Sequence, residues 1–233
     1  MRSEGPDMGS IPHRSVLTRR TLCAVAALAL TGTLAACSSS SSGSANSAAL
    51  TVDSAPSSIF DGIQLGKPYS KPDLTLTDAD GASFNLVKGT EGKLTLLYFG
   101  YTHCPDVCPT TMATLASAIR ALPAAQTAKI QVVFVSTDPD RDTPAVLKAW
   151  LGQYNLGFIG LTGSFATIQK GASALGIDVE APVKQADGGY TVTHGAEVVA
   201  FDPAGKAYVV YTAGATVGQI THDIPLILAG RDG

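Results

Sequence analysis

Charge and cysteine are both scarce in this chain of 233 residues. Only 15% of the residues are charged. No run of Lys and Arg builds a phosphate-binding surface, which excludes nucleic acid as the expected partner. No uninterrupted apolar run reaches the roughly 20 residues that cross a bilayer. There are four cysteines, Cys23, Cys37, Cys104 and Cys108. That is too few, and in the body of the chain too closely spaced, for a disulfide framework. Internal repeats and a second core are also missing. The length still allows one substantial hydrophobic core once an N-terminal tail is set aside.

The N-terminal region reads as a targeting segment. Arg14, Arg19 and Arg20 precede an apolar run from Leu22 to Leu30. Leu34-Ala35-Ala36-Cys37 then matches the small-residue pattern before a lipidated cysteine, and Ser38 to Ser44 continues as a flexible tether. The expected division is a lipoprotein signal peptide over 1–36, a lipid-anchored tether over 37–70 and a globular domain over 71–233. Lipid on Cys37 would place the domain on the extracytoplasmic side of the cell membrane. Thr18-Arg19-Arg20-Thr21-Leu22 partly resembles a twin-arginine export signal, but Cys23 departs from it, so the general export route stays open. Removing 1–36 leaves 12 basic against 17 acidic residues, a charge of −5.

Periodicity supplies the elements. Leu74–Thr77 and Ser83–Leu86 flank the turn signal Asp80-Gly81. Leu94–Phe99 is a continuous apolar run of the kind found in buried central strands. Thr111–Leu122 has Met112, Leu115 and Ile119 at helical spacing. Ile130–Val135 is a second apolar strand. Thr143 and Pro144 suit the cap and first turn of the next helix, with Asp142 as a further candidate cap. Phe158–Leu161 reads as a strand and Phe165–Leu175 as a helix ending at Gly176. Glu197–Phe201 and Ala207–Tyr211 form a hairpin around Asp202–Lys206. Thr216–Leu228 closes the domain as a helix that Pro225 threatens to kink. Alternating strands and helices with hairpins at either end predict an α/β fold, a mixed sheet flanked by helices.

The chemistry concentrates in Gly100-Tyr101-Thr102-His103-Cys104-Pro105-Asp106-Val107-Cys108-Pro109. This loop follows a buried strand and precedes a helix, where free N–H groups and the helix dipole favour thiolate. Three residues between the cysteines permit a disulfide if the Cα atoms come within about 7 Å. The same closeness lets both sulfurs bind one soft ion, such as Cu(I), zinc or an iron–sulfur centre. A third ligand would then have to come from His103, His194 or His222. His103 adjoins the pair and is expected to point away. His222 lies in the closing helix and reads as structural or solvated. His194 could fold back over the loop, or serve as an ordinary hydrogen-bonded residue. Spacing leaves both open, and it also leaves open a buried structural disulfide.

Three motifs in order bear a resemblance to one family. Tyr98–Pro109, then Val135-Ser136-Thr137-Asp138-Pro139-Asp140-Arg141-Asp142-Thr143-Pro144, then His194 followed by Phe201–Lys206 resemble the SCO/SenC family of thioredoxin-like, copper-binding assembly factors for cytochrome c oxidase. The resemblance spans about Leu74 to Leu228. It implies a thioredoxin-like fold, and copper held by Cys104, Cys108 and His194. It also implies delivery to the CuA-bearing subunit of the oxidase or another copper/thiol partner. The family's usual Asp-His-Ser is here Thr193-His194-Gly195, which removes a possible acidic neighbour of the ligand. Asp106 and Asp138 are the candidate outer partners of the ligands. Each has an ordinary turn role as its alternative.

These readings favour a copper carrier over a turnover enzyme. The main alternative is a thiol–disulfide reductase that uses Cys104 and Cys108 as a redox pair to keep a partner's metal-site cysteines reduced. A peroxidase-like domain and an inert extracellular domain are weaker readings, the first for want of any peroxide-pocket signal.

Overall fold

The computed structural model describes residues 58–184, 190–192 and 194–230. In chain order the elements are β1 (Ile63–Ser70), β2 (Thr75–Asp78), β3 (Ser83–Asn85), α1 (Leu86–Gly89), β4 (Leu94–Gly100), α2 (Val107–Ala121), α3 (Ala124–Thr127), β5 (Ile130–Ser136), α4 (Pro144–Gly152), β6 (Ile159–Thr162), α5 (Phe165–Ser173), β7 (Val183–Lys184), β8 (Tyr190–Thr191), β9 (Val198–Phe201), β10 (Lys206–Tyr211) and α6 (Val217–Leu228).

Among the described residues, eight strands form one mixed sheet in the order β1-β10-β9-β4-β5-β6-β2-β3, and β7 pairs only with β8. The centre is parallel: β4 and β5 run in register from Leu94 opposite Ile130 to Gly100 opposite Ser136. Both strands are apolar at almost every position because both faces are covered. Side chains alternate between the two faces. Leu94, Leu96, Tyr98, Val132 and Phe134 pack with Met112 and Leu115 of α2, Leu147 of α4 and Ile220 and Ile224 of α6. Leu97, Phe99, Val133 and Val135 pack on the other side with Ile168 and Ala172 of α5. Each such fully buried side chain stabilises the fold by about 1.5–3 kcal/mol. The expected mixed sheet flanked by helices is therefore present, with its apolar strands at the centre.

The expected hairpins form at β2–β3 and β9–β10, and Gly81 takes the left-handed conformation its turn requires (φ +83°). The side chain of Thr143 caps α4 by accepting from the Val146 N–H, and Pro144 is its first residue. Helix α6 runs through Pro225 to Leu228, opening on a capping box between Thr216 and Gln219.

The structure departs from the sequence reading in four places. Strand β1 lies inside the stretch expected to be tether. It is an edge strand, largely exposed, with Gly66, Lys67 and Pro68 in it and an irregular register against β10, so it shows no period-2 apolar pattern. Ordered structure begins still earlier, because the Asp61 and Gly62 N–H groups donate to the buried Asp223 carboxylate at 2.8 Å each. Helix α2 starts at Val107 rather than Thr111, so Cys108 stands in its first turn. Pro109 fits there because first-turn N–H groups have no intrahelical acceptor. The short α3 and the β7–β8 hairpin carry too few apolar residues to register as periodic elements. Asp142 does not cap α4; its role is described below.

Candidate metal centre

Strand β4 ends at Gly100, and the chain turns back through residues 101–106 into α2. Gly100 is required by the turn's closeness: a Cβ there would lie 2.8 Å from the Cys108 sulfur and 2.8 Å from the Tyr98 ring. Cys104 sits in the loop at 9% exposure and Cys108 in the helix at 0%. Both are free thiols. The Cys108 N–H donates to the Cys104 sulfur at 3.5 Å, and the Tyr98 hydroxyl donates to the Cys108 sulfur at 3.5 Å. Sequence reasoning assigned neither Gly100 nor Tyr98 a role at the site.

His194 comes over this pair from the segment between β8 and β9. Its Nε2 lies 3.9 Å from the Cys104 sulfur and 3.7 Å from the Cys108 sulfur. Its Nδ1 is 2.8 Å from the Gly195 carbonyl. Since a carbonyl only accepts, Nδ1 carries the proton, and the Nε2 lone pair faces the sulfurs. The Tyr101 ring stands edge-on to the imidazole, with centroids 5.2 Å apart. The three ligand atoms lie within 4.8 Å of one another. For bonds of about 2.3 Å to sulfur and about 2.0 Å to nitrogen, as zinc makes, a trigonal site separates S and N by roughly 3.7 Å. The observed separations therefore fit one ion between three donors, and two thiolates with an imidazole suit copper or zinc.

The two thiols are electrostatically unequal. Burial works to raise Cys104, but hydrogen bonds from the N–H groups of Cys108 and Asp106, with the His194 imidazole beside it, outweigh it and bring the thiol down to about 7. Burial pushes Cys108 up to about 12, against hydrogen bonds from Tyr98 and the Tyr101 backbone. Burial, with the neighbouring Cys108, also raises the Tyr98 hydroxyl, which stays protonated and available as a donor.

The turn between β5 and α4 borders the site. Asp142 is fully buried. It accepts from the Thr102 N–H at 3.0 Å, the Thr102 hydroxyl at 2.6 Å and the Ser136 hydroxyl at 2.7 Å. It thus ties the cysteine loop to the end of β5 instead of capping a helix, because two hydroxyls and an N–H already converge on its oxygens. Asp138 is also fully buried. It accepts from the Tyr190 hydroxyl at 3.0 Å and pairs with the Arg141 Nε–H. Asp106 stands before α2 with no side-chain cap hydrogen bond, and contributes its N–H to Cys104.

The remaining residues fall elsewhere. The His103 Nδ1 turns to the Thr102 hydroxyl, 3.1 Å away, and so lies outside the trio. His222 is half-exposed and bonds to Asp223 at 2.8 Å, as expected of a structural residue. Cys37 and Thr193 lie outside the described residues.

Comparison with known proteins agrees with this geometry. The profile of the SCO1/SenC family matches residues 64–229. A protein of Stutzerimonas stutzeri named for copper binding is 37% identical over 144 residues, covering 62% of this chain and 70% of that protein. Mitochondrial SCO2 of Saccharomyces cerevisiae is 35% identical over 149 residues, 63% of this chain and 47% of that protein, so the chain spans about half the length of that relative. The structure of ScoI from Bradyrhizobium japonicum with copper bound aligns at a TM-score of 0.61 and 33% identity, over 68% of this chain and 99% of that one.

Proposed function

The chain belongs to the SCO1/SenC family, and from that membership together with its three-donor site we propose that it carries copper to the CuA-bearing subunit of cytochrome c oxidase. The observation that carries this reading is the placement of the His194 Nε2 lone pair 3.7 and 3.9 Å from the two sulfurs, with Nδ1 held by the Gly195 carbonyl. Copper is here the cargo. Cys104 supplies a thiolate readily at neutral pH, whereas Cys108 loses its proton to solvent only as the ion binds its sulfur, so loading releases protons. Cys104, near the surface of the loop, is the ligand an acceptor's thiolate reaches first. Stepwise ligand exchange then moves the ion without setting it free. A Cys104–Cys108 disulfide offers no thiolate pair, so the redox state of the pair gates loading.

A second reading rests on the same asymmetry. A thiol near 7 above a buried, protonated partner is poised for attack on a disulfide and subsequent resolution. That supports thiol–disulfide reduction of an acceptor's cysteines. The two readings separate at His194. In anaerobic Cu(I) competition, His194→Ala is expected to weaken binding while leaving disulfide formation intact, and Cys104→Ser or Cys108→Ser to impair both. X-ray absorption on the loaded protein reads the ligand set. Wild-type copper affinity in a folded His194→Ala protein would defeat the three-ligand assignment.

The anchor completes the proposal. Residues 1–36 are removed, Cys37 carries lipid, and the chain before β1 tethers the domain to the extracytoplasmic face of the membrane. This rests on the basic, apolar and small-residue sequence ending at Cys37. Among the described residues no helix is long and apolar enough to cross a membrane.

A further inference from the structure

His194 lies on a segment that owes little to the main sheet. The hairpin before it, β7–β8, has two residues in each strand, and among the described residues its strands pair only with each other. Backbone pairing with the eight-stranded sheet resumes at Val198. Buried Val192 packs this segment down, so side-chain contacts rather than sheet pairing must hold the imidazole over the cysteines.

One set of contacts does so. The Arg141 guanidinium stacks on the Tyr190 ring, 3.7 Å from its centroid. The Tyr190 hydroxyl donates to Asp138 Oδ1 at 3.0 Å, and the other Asp138 oxygen pairs with Arg141 Nε. Three side chains thus close a ring between the 138–142 turn and β8, four residues before the ligand. The same turn braces the cysteine loop through Asp142 and Thr102. Both halves of the metal site are therefore referred to one short turn. Both attachments end on a fully buried carboxylate, Asp142 on the cysteine side and Asp138 on the histidine side, and the Arg141 side chain that closes the second is 30% exposed.

We propose that Arg141 and Tyr190 are positioning residues for His194, forming with Asp138 a latch that holds the imidazole against the cysteine pair and so sets the affinity of the site for copper. The inference rests on the copper-carrier reading for its consequence, and on the contacts of Tyr190 for its geometry. Arg rather than Lys is needed because a planar guanidinium can stack on a ring and bond in its own plane at once.

The test compares Arg141→Leu, the milder Tyr190→Phe and the rescue variant Arg141→Lys, each alone and in a His194→Ala background. Groups that orient a metal ligand typically contribute about 10–100-fold in affinity. Arg141→Leu is expected to weaken Cu(I) binding by about that factor and Tyr190→Phe by less. Arg141→Lys should fail to restore binding. In the His194→Ala background none of the three should change affinity by more than about twofold, and the reduction potential of the cysteine pair should stay put. Wild-type affinity in Arg141→Leu, or an equal loss in both backgrounds, would overturn the assignment. Hydrogen exchange on the metal-free protein gives an independent reading. Amides from Tyr190 to Gly195 should exchange faster in Arg141→Leu while those of β4 and β5 do not; unchanged exchange there would also overturn it. Failure of the wild-type protein to bind copper would instead count against the proposed function, with the exchange result still deciding the latch.

Discussion

At the scale of single residues the site works by making two identical side chains unlike. Cys104 gathers N–H donors at a helix start, and Cys108 is sealed beneath it. Because a thiolate and not a thiol reacts with iodoacetamide, alkylation of the reduced, metal-free protein should rise with pH around a midpoint of about 7. It should fall on Cys104, while Cys108 stays protected in the native state. Peptide mass mapping after a timed pulse checks both points; equal labelling of the two cysteines at pH 8 would contradict the asymmetry. Gly100 gives a second residue-level expectation. Gly100→Ala would drive a methyl to 2.8 Å from the Cys108 sulfur, so we expect a loss of about 1–3 kcal/mol of stability together with weaker copper binding. Urea unfolding and Cu(I) competition would measure the two. The cysteines could be singled out from sequence because their residue type and spacing carry the chemistry. Gly100 could not, since its constraint is a clash with a neighbour eight positions away that exists only after the helix has turned back.

At the scale of elements, the connections between strands matter more than the strands. Asp142 joins two of them, and removing its carboxylate strands the Thr102 N–H and a buried Ser136 hydroxyl. We expect Asp142→Ala to cost about 2–4 kcal/mol in urea unfolding, with the m-value unchanged. Lys71, just after β1, makes another connection: its ammonium donates to the Thr90 and Thr95 hydroxyls inside the protein. Burial lowers its pKa from 10.5 to about 8, against the opposing pull of Asp202. Between pH 8 and 10 the unfolded chain therefore holds a proton on Lys71 that the folded protein has released, so the contribution of Lys71 to stability should rise with pH across that window, by at most about 2–3 kcal/mol. The rise should vanish in Lys71→Met. Denaturant titrations of both proteins at pH 8, 9 and 10 test it by their difference, because Cys108, pushed up to about 12, lowers stability above pH 9 in each; an unchanged slope in Lys71→Met would contradict the assignment. Neither role follows from the local sequence, where Asp142 beside Thr143 looks like a helix cap and Lys71 like a solvated charge.

At the scale of the whole molecule the sheet acts as a frame that brings distant segments to one edge. Cys104 and Cys108 leave the end of β4, and His194 returns before β9, which pairs with β4. Residues 90 and 86 positions apart thereby meet within ligand distance. Metal affinity should consequently follow the folded fraction of the protein, not the presence of the short cysteine motif. At this scale too belongs the anchor: Cys37→Ser should shift the protein from membranes to the aqueous fraction without changing copper affinity. Fractionation and intact-mass analysis for an N-terminal lipid would check it, and unchanged membrane attachment with no lipid mass in the wild type would remove the anchor from the proposal.

What the sequence by itself determined is whatever depends on neighbours along the chain: the two apolar central strands, the glycine-bearing turns, the Thr143 cap, the helical spacing of Met112, Leu115 and Ile119, and the pairing of two thiols across three residues. Such features arise from backbone preference and periodic burial, which local residue types dictate. The ordered motifs that resemble the family added His194 to the ligand set, although spacing alone left it undecided. Tertiary structure alone decided which nitrogen of His194 faces the sulfurs, that Tyr98 and Gly100 crowd Cys108, and that Asp142 ties a loop. It alone joined Asp138, Arg141 and Tyr190 into one contact and placed β1 on the sheet. Each of these depends on a hydrogen bond or close approach whose geometry exists only once the chain has folded back on itself, whether its partners are near in sequence, as Gly100 and Cys108 are, or far apart, as Asp138 and Tyr190 are.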